Sequence, residues 1–119
     1  MKNSLEDLHL KVTLRLEDEN HQRRFGPGVA VLLSEVRKHH SLRSAAASMG
    51  MAYSKAWRIL RTAEDAFGCK LLDSTIGGRN GGGAVLTPEA EALLTAYETL
   101  RAEVEAYARQ RFEANFKDL

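Results

Sequence analysis

At 119 residues the chain is one domain with room for a modest core, and 44% hydrophobic with 28% charged residues exclude intrinsic disorder. No apolar run nears the roughly 20 residues of a membrane span, and Met1 to Asp7 lacks the hydrophobic centre of a secretion signal. Seventeen Lys and Arg against sixteen Asp and Glu leave a net charge of +1, so affinity for a polyanion has to come from a local basic face.

Leu8 to Glu17 alternates, with Leu8, Leu10, Val12, Leu14 and Leu16 on one side and His9, Lys11, Thr13, Arg15 and Glu17 on the other. This predicts a half-buried strand over 8–17. Asp18 to Arg24 is polar and reads as a turn or the lead-in to a helix. Gly26-Pro27-Gly28 punctuates before a helix running to His40, with Val29, Leu32, Leu33 and Val36 at helical spacing and Pro27 suited to the first turn. Ser41 can cap a short alanine-rich helix, and Gly50 separates it from another that begins near Ala52. A three-helix core thus spans 29–67, with a helix-turn-helix over 42–67.

On a wheel at 100° per residue the last of these helices has two faces. Tyr53, Ala56, Ile59, Leu60, Ala63 and Phe67 form the apolar side; Ser54, Lys55, Arg58, Arg61 and Thr62 form the polar side, with Trp57 on the border. Gly68 is placed to stop the helix. Strand candidates Lys70–Ser74 and Ala84–Leu86 then flank a loop carrying five of the nine glycines. A glycine-rich hairpin over 70–86, directly after such a helix, is the wing of a winged helix. Its glycines permit positive φ and close approach to a phosphate, but no Gly-Lys-Ser/Thr follows, so it is not a P-loop. Cys69, the single cysteine, forms no internal disulfide and reads as a buried, inert thiol in a reducing, cytoplasmic setting.

Thr87-Pro88 with Glu89 and Glu91 starts a helix over 88–116. At 1.5 Å per residue it is about 40 Å long, more than a domain this small needs to cover its own core. Leu93, Tyr97, Leu100, Val104 and Tyr107 recur at four- and three-residue steps, a heptad seam that predicts dimerisation. Leu94, Ala108, Phe112 and Phe116 add a second apolar stripe. The fold expected is mainly α, a winged helix-turn-helix with an extra N-terminal strand, a glycine-rich wing and a long C-terminal dimerisation helix.

No Asp or Glu occurs from Val36 through Ala63, whereas Arg37, Lys38, Arg43, Lys55, Arg58 and Arg61 do. A solvated helix face is the commonest fate of such residues, but the missing acids, the helix-turn-helix spacing and the wing favour double-stranded DNA as partner. Ser54, Lys55 and Arg58 lie nearest the helix N-terminus, which meets base edges, and Arg58 suits a bidentate contact to guanine. Arg61, Arg37, Lys38, Arg43 and Ser44 suit phosphates or plain surface. Tyr53 and Trp57 favour core packing, although Tyr53 stays among the DNA candidates. Arg79 and Asn80 at the wing tip fit minor-groove or phosphate contact. His39 and His40 read as solvated partners of a helix C-terminus rather than ligands. With Glu64 and Asp65 on different faces and no Ser-His-Asp or Cys-His arrangement, no catalytic site, metal or cofactor is expected.

The runs Ser44-Ala45-Ala46-Ala47-Ser48-Met49-Gly50-Met51-Ala52-Tyr53-Ser54-Lys55-Ala56-Trp57 and Thr75-Ile76-Gly77-Gly78-Arg79-Asn80-Gly81-Gly82-Gly83-Ala84-Val85-Leu86-Thr87-Pro88 closely resemble the N-terminal DNA-binding domain of the molybdate-responsive ModE regulators. More distantly they are similar to the LysR-type winged helix. The resemblance implies a homodimeric transcriptional regulator on a palindromic operator, with dimer contacts from the long helix and the N-terminal elements. Full-length ModE proteins continue into molybdate-binding repeats, and the expectation here is a standalone domain without them, so molybdate sensing does not carry over. A separate effector or sensor protein stays open as a partner. The alternative is a winged-helix module that binds a protein instead, for which the acid-rich segment from Glu89 onward, with seven acids and four bases, is the best support.

Overall fold

The computed structural model describes residues 7–75 and 83–119. Its first element is a small hairpin, β1 (Leu16–Glu17) against β2 (Arg23–Phe25), antiparallel, with Leu16 opposite Phe25 and Glu17 opposite Arg23. That register leaves Arg24 as the extra residue of a bulge. Asp18 organises the turn: its carboxylate accepts from the backbone of Asn20 (2.8 Å) and Gln22 (3.0 Å) and from Arg24 Nε (2.9 Å). These bonds, led by Gln22 and the Arg24 side chain, hold the Asp18 carboxyl below its ordinary value.

The strand expected over 8–17 is therefore corrected to its last two residues. Alternation reports a β-like face, but a strand also needs a neighbour, and β2 is only three residues long before Gly26 and Pro27 start a helix. Among the described residues no strand pairs with 8–15. Leu14 packs on the core, while Leu8 is 59% exposed and Leu10 is also open.

Helix α1 (Pro27–His39), with Pro27 at N1, is the central element. It buries Val29, Ala30, Leu32, Leu33 and Val36 and touches β2, each of the later helices and the strand that precedes the last of them. His40 closes it in the left-handed region (φ 56°), donating its N–H to the Val36 carbonyl (2.7 Å) and accepting the Ala84 N–H at its own carbonyl (2.9 Å). Helix α2 (Leu42–Ser48) is capped by Ser41, whose hydroxyl accepts the Ser44 N–H (3.1 Å). It ends at Gly50 (φ 65°) with the paired bonds of a Schellman turn, Gly50 N–H to Ala47 O (3.0 Å) and Met51 N–H to Ala46 O (2.9 Å). Buried alanines 45, 46, 56 and 63 let α2 and the next helix approach closely.

Glu35 ties α1 to α2, accepting the Ser48 hydroxyl (3.1 Å) and standing 3.0 Å from His39 Nε2. The Ser48 bond, then the Lys38 charge, then His39, hold its carboxyl below the usual 4.5. A depressed carboxylate contributes stability above its unfolded pKa and loses it as the pH falls through the folded value. The melting temperatures of wild type and Glu35→Gln should therefore differ by a constant amount at neutral pH and converge below about pH 4.5.

Helix α3 (Tyr53–Phe67) stops at Gly68 (φ 67°). A second hairpin follows, β3 (Leu72–Thr75) and β4 (Gly83–Leu86), with Leu72 opposite Leu86 and Ser74 opposite Ala84. Thr87 then anchors helix α4 (Pro88–Phe116) to this wing. Its buried hydroxyl donates to the Lys70 carbonyl (2.8 Å) and accepts the Ala90 N–H (3.0 Å), and its own N–H donates to Leu71 O (3.0 Å). Thr87→Val keeps the shape but strands the buried Ala90 N–H and the part-buried Lys70 carbonyl. It should cost about 2 kcal/mol, read as a lower urea midpoint with unchanged m-value.

Helix α4 buries only Ala90, Leu94 and Tyr97, all in its first three turns. The Tyr97 ring packs on Phe25 (5.1 Å), which meets Phe67 edge-on (6.0 Å), and its hydroxyl donates to the Leu14 carbonyl (2.7 Å). Beyond Tyr97 the helix projects: the molecule measures 62 × 29 × 23 Å with a radius of gyration of 18.1 Å. A compact chain of this length would have roughly 13–14 Å. No helix among the described residues is long and apolar enough to cross a membrane.

Candidate nucleic-acid interface

The outward face of α3 follows from what its inner face is spent on. Ala56, Leu60 and Ala63 are buried, with Ile59 half-buried against the core, so the opposite side carries Ser54, Lys55, Arg58 and Arg61 into solvent. The start of α3 is electrostatically open. Ala52 supplies no side-chain cap, the first turn holds no acid, and the first helical bonds are those of Lys55 and Ala56 to Ala52 O. The N–H groups of Tyr53 and Ser54 have no partner among the described residues and point along the positive end of the helix.

The ion pairs divide the cations into two sets. Arg37 is bound by Glu91 across α1 and α4, Lys38 lies 3.6 Å from Glu35, Arg24 is held by Asp18, and Arg101 by Glu98 and Glu105. Arg37 and Lys38 thus each face a carboxylate at the surface. Lys55, Arg58 and Arg43 have no ion pair among the described residues, and Arg61 reaches Glu64 only at 4.0 Å. Glu64 is itself engaged, accepting the Leu71 N–H (2.9 Å).

Tyr53 and Trp57 do not join the core, contrary to the sequence expectation: Trp57 is 45% exposed and Tyr53 40%. The buried face of α3 is Ala56, Leu60 and Ala63. Each ring instead carries a guanidinium, Arg43 over Tyr53 (4.3 Å to the centroid) and Arg61 over Trp57 (4.9 Å). These stacks bring Arg43, from the first turn of α2, to the start of α3. Phe67 is also more open than its wheel position suggested. Ser44 is exposed on α2, its backbone N–H taken by the Ser41 cap. Arg79 and Asn80 lie outside the described residues. Between α3 and the wing runs a groove of about 380 Å³ lined by Tyr53, Trp57, Arg61, Lys70 and Ser74 among others. Lys70 is an interface candidate that sequence reading placed only at the start of a strand.

On α4, Leu93 packs partly on the core, Leu100 is 43% and Tyr107 65% exposed, and Val104 is half-buried. Tyr97 leaves the expected dimer seam, because Phe25 and Leu14 of its own chain occupy it. Cys69 is half-buried against the core rather than fully enclosed. His39 is engaged with Glu35, and His40 serves through its backbone.

The family model of the bacterial regulatory helix-turn-helix protein, lysR family, matches residues 30–91, from α1 into α4. The chain belongs to that family. It is accordingly a DNA-binding module of transcriptional regulation, with a mainly helical winged helix-turn-helix fold. This lysR-family member is 33% identical over 81 residues to the molybdenum-pterin-binding protein MopB of Rhodobacter capsulatus, covering 68% of the chain and 30% of the relative. It is 35% identical over 80 residues to the molybdenum transport protein ModE of Herbaspirillum seropedicae (66% and 30%), and 38% identical over 69 residues to the transcriptional regulator ModE of Haemophilus influenzae (58% and 27%). The chain spans under a third of the length of these relatives.

Proposed function

We propose that the chain acts as a homodimer that binds a palindromic operator and regulates transcription sequence-specifically. The observation that carries this reading is the exposed face of α3, where Lys55 and Arg58 stand without ion-pair partners among the described residues and flank an open helix N-terminus. Such a face is what a helix lying in the major groove requires. Ser54, Lys55 and Arg58 would meet base edges, with Arg58 against guanine. Arg43, Ser44, Tyr53 and Arg61 would hold the adjoining backbone, and Arg79 and Asn80 would extend the contact from the wing. Leu93, Leu100, Val104 and Tyr107 would form the seam between protomers, and a two-fold dimer implies a two-fold site.

The molybdenum-related names of the relatives describe proteins of which this chain matches less than a third, and they are not carried over to it. Selection of genomic fragments by the purified protein tests the proposal. Enrichment of an inverted repeat supports it, and no enrichment contradicts it. Titration of bulk duplex at low salt separates it from the protein-binding alternative, for which no retardation is expected.

A further inference from the structure

The geometry points to a second backbone contact: a cleft on the flank of α3 away from the wing, where Arg15 and Arg23 bind DNA phosphate beside Lys55 and Arg58. This extension rests on the DNA-binding reading above. The cleft, about 390 Å³, lies between the β1–β2 hairpin, the first turn of α1 and α3. Arg15, Arg23, Lys55 and Arg58 wall it over a floor that includes Phe25 and Ile59, and no Asp or Glu lines it. Arg24 also lines it but is neutralised by Asp18 (2.7 Å). The charged side chains of the other four have no hydrogen bond or ion pair among the described residues. Like charges gathered without acids raise the local potential and favour an anion between them.

Two features of the backbone add to this. Gly26 lets the Arg15 stem lie close, since a Cβ there would stand 3.0 Å from Arg15 Cγ. This packs the arginine that precedes β1 at the cleft. The first turn of α1 also opens here. Pro27 has no N–H, Gly26 gives no side-chain cap, and the N–H groups of Gly28 and Val29 have no partner among the described residues. A Cβ at Gly28 would meet nothing within 4 Å, so a phosphate oxygen has room to approach that positive helix end.

The anion fitted is a phosphate of the polymer rather than a free ion. Two of the four cations come from α3 itself, and a helix in the major groove has a phosphate strand on each side. The wing, Arg43 and Arg61 serve one strand; the cleft serves the other.

Arg15→Gln/Arg23→Gln, which keeps much of each stem, is compared with wild type, Arg15→Lys/Arg23→Lys and a remote control, Arg109→Ala on α4. Fluorescence anisotropy is read on a selected duplex and a scrambled one across a salt series. The Gln pair should bind both duplexes at least tenfold more weakly at about 0.1 M salt, with a salt slope shallower by about 1.8 per protomer and an unchanged ratio between duplexes. The Lys pair should keep the slope, and Arg109→Ala should match wild type. Wild-type binding with an unaltered Gln pair overturns the cleft assignment alone. It is also overturned if inorganic phosphate raises the melting temperature of wild type but not of the Gln pair while DNA binding stays equal, since the site would then take a free anion. A wild type that binds neither duplex overturns the DNA-binding reading itself.

Discussion

Arg58→Ala is expected to weaken binding to a preferred duplex by about 1–3 kcal/mol, roughly 5- to 150-fold, and to narrow the preference over a scrambled duplex. Arg58 stands on the solvent side of α3, and no ion pair or hydrogen bond among the described residues depends on it. The fold therefore loses nothing by its removal, and thermal stability should stay within about 0.5 kcal/mol of wild type. Arg61→Ala makes the contrast. Its guanidinium stacks on Trp57 at the side of the helix, where a phosphate contact would weaken all sequences alike. Competition binding separates the two outcomes. An Arg58 variant that keeps its discrimination would move base recognition elsewhere on α3.

The second large effect is expected at the projecting half of α4. Glutamates at Leu100 and Val104 should leave a folded monomer that binds an operator at least a hundredfold more weakly. These residues lie beyond Tyr97, the last residue of α4 buried in the protomer, and glutamate is a good helix former. The intrachain core is then untouched while an apolar seam acquires four charges per dimer. If each protomer engages about four phosphates, the slope of log K against log salt should fall from about −7 to about −3.6 as the dimer dissociates. Sedimentation velocity reports the mass change directly. A variant that sediments like wild type would remove this seam from the account.

Local signals of helix ends were legible in the sequence because each is satisfied within a few residues. Pro27, Ser41, Gly50, Gly68 and Thr87-Pro88 occupy the positions that their conformational limits or capping groups suit. Alternation over 8–17 misled, because it measures which side chains share a face and not whether another strand is near. β2 was missed for the same reason: three residues with two arginines carry no strand signal of their own. Tyr53 and Trp57 were drawn to the core by residue type, whereas the buried positions of α3 are Ala56, Leu60 and Ala63. The basic cleft was invisible because Arg15 and Arg23 lie more than thirty residues from Lys55 and Arg58, and only the fold brings the hairpin beside α3. Likewise no periodicity could say that Tyr97, in step with Leu100 and Val104, turns to its own chain and holds Leu14.

If the α3 face enters a double helix in a paired molecule, binding is salt-dependent and two protomers share one duplex. Anisotropy titration of wild type against a fixed duplex at several salt concentrations tests it most directly. A slope near −7 or steeper is predicted, with saturation at two protomers per duplex. Affinity that does not change with salt, or no binding at low salt, would contradict it.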